Sequence, residues 1–121
     1  MSGLTVVIGA SENPSRYSQR AIVSLQNHNE PVAAVGLKDG EFAGVKIHGD
    51  RPAFENVETV TLYVGPQNQA GWYDYILSLR PKRVIFNPGT ENEELMDLCR
   101  RNNIEVVIAC TLVMLSIGNY H

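Results

Sequence analysis

The feature that most constrains this chain is its opening: a short apolar run, Leu4 to Ile8, that stops at Gly9 and gives way to small and polar residues before an amphipathic segment. A run this apolar has no polar face to present to water, so it reads as a strand covered on both sides. Positions Ser18, Ala21, Ile22 and Leu25 follow at helical spacing, with His28-Asn29 as the stop. The turn between them, Gly9-Ala10-Ser11-Glu12-Asn13-Pro14-Ser15, has little bulk at its start and many hydroxyl and amide groups. Its backbone can therefore approach an anion closely at the mouth of a helix, which makes it a candidate phosphate-binding turn.

Four further apolar runs follow: Pro31 to Leu37, Thr59 to Val64, Arg83 to Phe86 and Glu105 to Ala109. Helical patterns separate most of them. Trp72, Tyr73, Ile76, Leu77 and Leu79 form one apolar stripe ahead of Pro81. Thr90 with Glu93 reads as a capping pair for a third helix, with Arg100 and Arg101 in its last turn. Such alternation predicts an α/β fold: a Rossmann-like three-layer sandwich around a mainly parallel five-stranded sheet, in the order 3-2-1-4-5. Its ligand belongs beyond the carboxyl ends of the strands, beside strand one. The stretch from Lys38 to Pro52 is too long for a simple connection and predicts a small hairpin turning at Asp39-Gly40 and ending at Gly49.

At 121 residues and 44% hydrophobic content the chain predicts a single domain, residues 1–121, with one continuous core. A formal net charge of -3 argues against nucleic acid or an anionic membrane as a partner, so any anion site must be local. The amino-terminal residues carry no basic region and lead into too short an apolar run for a signal peptide, which makes a cytoplasmic location the expectation. Cys99 and Cys110 lack metal-knuckle spacing and read as free thiols. No metal site is expected.

The glycine pattern is not that of a dinucleotide fingerprint, because Ser11, Glu12 and Pro14 stand where further glycines belong. The second apolar run ends in Lys38 rather than an acid. A cation there suits a phosphate on an adenosine ribose, as in coenzyme A or NADP, better than a free ribose diol.

Taken in order, Val7 to Ser18, then Val35-Gly36-Leu37-Lys38 and Gly44, then Phe86 to Glu94 with its Asn-Pro-Gly-x-x-Asn-Glu-Glu pattern resemble the small stand-alone CoA-binding domain proteins. These are relatives of the N-terminal domain of the succinyl-CoA synthetase alpha subunit. The resemblance spans roughly Leu4 to Leu115. It implies that Gly9, Ala10, Ser11, Arg16, Tyr17, Ser18 and Gln19 surround the CoA phosphates, with Arg16 the charge able to fork onto one of them. It also implies that Lys38 meets the adenosine end, that Val64 and Pro66 cover the adenine, and that Asn87 faces the same crevice. Gly65 replaces the first of the family's two prolines in that covering loop, which predicts a looser wall.

The synthetase relatives react through a histidine in a second domain, and no acidic or nucleophilic partner can be placed beside His28, His48 or His121. The expectation is therefore a non-catalytic module that binds CoA or an acyl-CoA. Two rivals rank behind it on the same fold: an NADP-dependent oxidoreductase, and a ligand-free interaction module or homodimer using the helix that carries Trp72.

Overall fold

The computed structural model describes residues 3–10 and 16–121. The turn residues Ser11 to Ser15 lie outside the described residues. Among the described residues seven strands and four α-helices occur, in the order β1 (Leu4–Ala10), α1 (Tyr17–Asn27), β2 (Val32–Gly36), β3 (Gly40–Phe42), β4 (Val45–His48), β5 (Val57–Leu62), α2 (Tyr73–Ser78), β6 (Arg83–Phe86), α3 (Glu93–Arg101), β7 (Glu105–Ile108) and α4 (Thr111–Ser116). Two short 3₁₀ turns, Pro66–Asn68 and Ala70–Trp72, precede α2.

The sheet is seven-stranded and mixed, in the order β3-β4-β2-β1-β5-β6-β7. This corrects the five-stranded expectation in two ways. First, the stretch after Lys38 is part of the sheet. β4 runs parallel to β2, pairing Ala34 with Ile47 and Val35 with His48, and β3 closes the edge antiparallel to β4. Second, the strand Val57–Leu62 lies on the far side of β1 from β2, with Val6 opposite Val60. Among the six parallel strands β4 is the third, so their order is 3-2-1-4-5-6. The expected order had put Val57–Leu62 in the place that β4 occupies. The hairpin turn also sits elsewhere than expected, at Ala43 and Gly44, whose φ values of 53° and 78° are both positive, as a two-residue hairpin loop requires.

Two apolar layers flank the sheet. Trp72, Ile76, Leu79, Leu95, Met96 and Cys99 pack α2 and α3 against Val6, Ile8, Val60, Leu62, Val84 and Phe86. On the other face, Ile22, Leu25, Met114 and Leu115 pack α1 and α4 against Val7, Ala34 and Ile85. The α1 face is the one its spacing predicts, since Ser18, Ala21, Ile22 and Leu25 are all buried. Trp72 is only 3% exposed. The stripe read as a contact face for a partner therefore belongs to this chain's own core.

The third helix starts later than the capping pair predicted. Asn92 is its N-cap, accepting the Glu94 N–H at 3.1 Å, while the Thr90 hydroxyl donates to the Asn87 carbonyl at 2.7 Å. Thr90 thus closes the Asn87-Pro88-Gly89 turn instead of opening the helix. Arg83 ties the opposite end of the sheet, donating to Thr59 Oγ1 at 2.9 Å and to the Tyr120 carbonyl at 2.6 Å.

Cys99 is buried, and burial pushes its thiol up to about 11. Cys110 is half-buried. A neutral thiol reagent at pH 8 is expected to modify Cys110 in the folded protein and Cys99 only after denaturation, since the thiolate is the reacting species. The raised value also means that Cys99 favours the folded state below its ordinary pKa near 9, and that this contribution is lost as pH climbs toward about 11. Mass counting of alkyl groups before and after adding denaturant checks the first statement. Equal labelling rates of the two thiols in the folded state would contradict it.

Candidate functional site

The carboxyl ends of β1, β2 and β5 surround a crevice of about 680 Å³, large enough for a nucleotide. It lies beside β1, where the strand order changes direction and connections leave a gap.

Gly9 and Ala10 form its floor. Gly9 has φ +99°, and a Cβ there would lie 3.0 Å from the Tyr63 carbonyl. Glycine alone combines that backbone with that approach. The register of β1 against β2 shifts between Ile8 and Ala10, which turns the strand end toward the crevice. Gly36 lies opposite: an added Cβ would sit 2.1 Å from the Ala10 carbonyl oxygen. The two strands therefore end in close backbone contact.

Leu37, Lys38 and Asp39 form the wall beyond β2. Its shape is set by Gly49, just past β4, where an added Cβ would fall 2.6 Å from Lys38 Cα. Asp39 Oδ1 accepts the Gly49 N–H at 2.8 Å. The hairpin thus presses its root against Lys38 and fixes the turn that carries it.

Val64 and Gly65 supply the wall after β5. The looseness expected from Gly65 is offset by Gln69, which is fully buried. Its Nε2 donates to the carbonyls of Val64, at 2.8 Å, and Thr90, at 2.7 Å, and its Oε1 accepts from Asn92 Nδ2 at 2.9 Å. One side chain thereby ties the loop after β5 to the Thr90 turn and to Asn92.

Arg51, Gly71 and Trp72 complete the rim. The Arg51 guanidinium carbon stands 3.7 Å from the Trp72 ring centroid, and its Nη1 donates to the Gly71 carbonyl at 2.7 Å. Burial pushes the neighbouring Tyr75 phenol up to about 12, with the Arg51 charge offsetting part of the rise.

Among the described residues, Arg16, Lys38 and Arg51 thus line one crevice against a single carboxylate, Asp39. In a chain with an overall charge of -3 this is a local reversal of sign. Neither Arg16 nor Lys38 has an ion-pair partner among the described residues.

Of the residues singled out from the sequence, Gly9, Ala10, Arg16, Lys38 and Val64 come together here. Ser11 lies outside the described residues. Tyr17 is 64% exposed with Arg20 over its ring, away from the crevice lining. Ser18 and Gln19 are buried under α1, where the Ser18 hydroxyl donates to Gln19 Oε1 at 2.5 Å. Among the described residues Gln19 Nε2 has no hydrogen-bond partner. Pro66 opens the first 3₁₀ turn and is exposed, just outside the lining. Asn87 is buried, and its amide is spent inside the fold. Nδ2 donates to Thr61 Oγ1 at 2.8 Å and to the Leu62 carbonyl at 3.0 Å, and Oδ1 accepts the Thr111 N–H at 2.9 Å. Arg51, Trp72 and Gly49 were missed. Their part depends on the hairpin that folds residues 40–48 onto the edge of β2.

Tyr63 also borders the crevice, but its hydroxyl is buried and has no hydrogen-bond partner among the described residues. Burial pushes this phenol up to about 12, with the nearby Thr61 and Thr111 hydroxyls offsetting part of the effect.

Fold and crevice together define a Rossmann-like nucleotide-binding domain. The family model for the CoA binding domain matches residues 4–116, so the chain belongs to that family. A solved structure of an uncharacterized protein is 52% identical, with a TM-score of 0.95 and 99% of each chain covered. A cell-free-expressed protein from Thermus thermophilus shares the fold at 21% identity, with a TM-score of 0.85 over 98% of this chain and 91% of that one. A dinucleotide-forming acetyl-coenzyme A synthetase from Ca. Korarchaeum cryptofilum, solved with phosphate and ADP, contains the same fold. It is 19% identical with a TM-score of 0.72, over 88% of this chain and 25% of that one. A search among curated proteins finds no match.

Proposed function

We propose that the crevice binds coenzyme A or an acyl-CoA and that the protein is a non-catalytic binding module, presenting or sensing that ligand in the cytoplasm. The observation that carries this reading is the cationic crevice at the carboxyl end of β1, in a chain that belongs to the CoA binding domain family. In this reading Arg16, just before α1, would supply a forked donor to a phosphate, and Lys38, just after β2, would meet the ribose end.

The sequence offered no acidic partner for any histidine, but His48 and His121 do have one, so the non-catalytic part of the reading rests only on the histidines lying outside the crevice lining. His28 Nδ1 lies 2.7 Å from the Ser24 carbonyl oxygen. His48 faces Asp50 at 3.7 Å, and His121 sits 2.9 Å from Glu30 and 3.5 Å from Glu58. None of them lines the crevice. No helix among the described residues is long and apolar enough to cross a membrane.

The test is thermal unfolding with CoA, acetyl-CoA, NADP, NAD and FMN. A ligand at 100 times its Kd is expected to add about 2.7 kcal/mol of stability. Arg16→Ala and Lys38→Ala are each expected to weaken CoA binding by about 1.5–3 kcal/mol, the range of a hydrogen bond to a charged group. A response to NADP without any response to CoA species would overturn the proposal, as would unchanged CoA affinity in both variants.

A further inference from the structure

We infer that Arg51, braced on Trp72, forms with Lys38 a clamp for a phosphomonoester on the ligand's adenosine ribose, so that the protein discriminates CoA from dephospho-CoA. The inference rests on the CoA reading above and adds the residue that sets specificity within it.

Three observations carry it. Lys38 and Arg51 both line the crevice but lie in the segments that follow two different parallel strands, β2 and β4. The hairpin root brings these strand ends together, since Gly49 lies against Lys38 and Arg51 follows two residues later. In a sheet of this order the position after β2 faces the ribose, and here the neighbouring parallel strand adds a second cation on the same side.

Arg51 is also held in place before any ligand arrives. Its backbone occupies the left-handed region at φ 51°, a costly choice for a side-chain-bearing residue. The guanidinium stacks 3.7 Å from the Trp72 centroid, and one of its five donors is fixed on the Gly71 carbonyl. Among the described residues its remaining donors have no partner, so a phosphate meets a planar fork that loses little freedom on binding.

The nearby carboxylates do not cancel this charge. Asp39 accepts the Gly49 N–H, which turns one of its oxygens to the hairpin root. Asp50 lies beside His48, with its side chain 74% exposed. A lone ribose hydroxyl would leave the two cations of this wall with Asp39 as the one carboxylate among the lining residues. A phosphomonoester, carrying close to two negative charges at neutral pH, supplies an anion for both.

Calorimetric titration of CoA and dephospho-CoA into wild type, Arg51→Gln and Arg51→Lys tests the clamp. Wild type is expected to favour CoA about 10- to 100-fold, the size of a charge-assisted contact. Arg51→Gln is expected to lose most of that preference by weakening CoA while leaving dephospho-CoA unchanged, with Arg51→Lys in between. Equal loss for both ligands would overturn the clamp, because Arg51 would then serve the shared nucleoside. So would an unchanged ratio, or equal wild-type affinity for the two ligands. Failure of wild type to bind either ligand would instead defeat the CoA reading itself.

Phosphorus NMR of CoA bound to wild type needs no variant. Between two cations the monoester's second ionisation is expected to move below its free value near 6. A bound monoester that titrates as it does in free CoA would overturn the clamp.

Discussion

Replacing Gly36 by alanine is expected to cost about 3 kcal/mol or more, at the upper end of what added core bulk does. The new Cβ would stand 2.1 Å from the Ala10 carbonyl oxygen and 3.2 Å from Ile47 Cγ2. The first of these atoms is backbone, in a strand hydrogen-bonded on both sides, so no rotamer change relieves the overlap. The β1 and β2 ends must separate, and they carry the crevice floor and Lys38 between them. CoA binding is therefore expected to fall together with stability. Gly44→Ala is the informative comparison: nothing lies within 4 Å of its added Cβ, and only the φ of +78° opposes it. That substitution is expected to cost about 1 kcal/mol. Urea unfolding of both variants measures the difference. A Gly36→Ala loss no larger than that of Gly44→Ala would show that the two strand ends separate freely.

The second large effect is expected at Asn87. Its truncation to alanine removes three hydrogen bonds and leaves the Thr111 N–H and the Leu62 carbonyl buried without this partner. At about 1–3 kcal/mol for each stranded group, the expected loss is about 3–5 kcal/mol. Asn87→Asp separates hydrogen bonding from shape. It keeps the acceptor for Thr111 but turns a carboxylate oxygen toward the Leu62 carbonyl. The apposition favours the protonated acid, so the folded pKa of the new group rises above its unfolded value near 3.9. This variant is expected to be closest to wild type at the acid end and to lose stability as pH rises through the folded pKa. Chemical denaturation at pH 4 and pH 7 reads it. A pH-independent difference from wild type would show that Asn87 does not face Leu62 as described.

These positions mark where sequence reading succeeds and where it stops. Strands β1, β2, β5, β6 and β7 were legible because each falls in a largely apolar run, and the α1 face because Ser18, Ala21, Ile22 and Leu25 keep helical spacing. Gly9 and Lys38 were legible as residues of the crevice lining because a strand end has few uses for a glycine turn or a lone cation. The sheet order was not. β4 reads Val45-Lys46-Ile47-His48, an alternating pattern that suits any half-exposed strand, and nothing local says that it docks on β2. Once it does, the remaining parallel strands must extend from the other side of β1. Arg51 was invisible for the same reason, since its place in the site comes from tertiary pairing. Asn87 shows the converse error. A polar residue at a strand end looked like a ligand contact, but the junction of β5, β6 and α4 needs its amide to satisfy buried backbone.

The hairpin β3–β4 divides its work along its length. Its root at Gly49 shapes the turn bearing Lys38, while its tip at Ala43-Gly44 accepts a side-chain bond, from Gln26 Nε2 to the Ala43 carbonyl at 2.9 Å. A peptide tag or fluorophore spliced in at the tip lengthens an edge that already faces solvent. The same insertion at the root would dismantle the nucleotide end of the crevice. The hairpin therefore offers a port for a reporter, with the ligand site at one end and the label at the other.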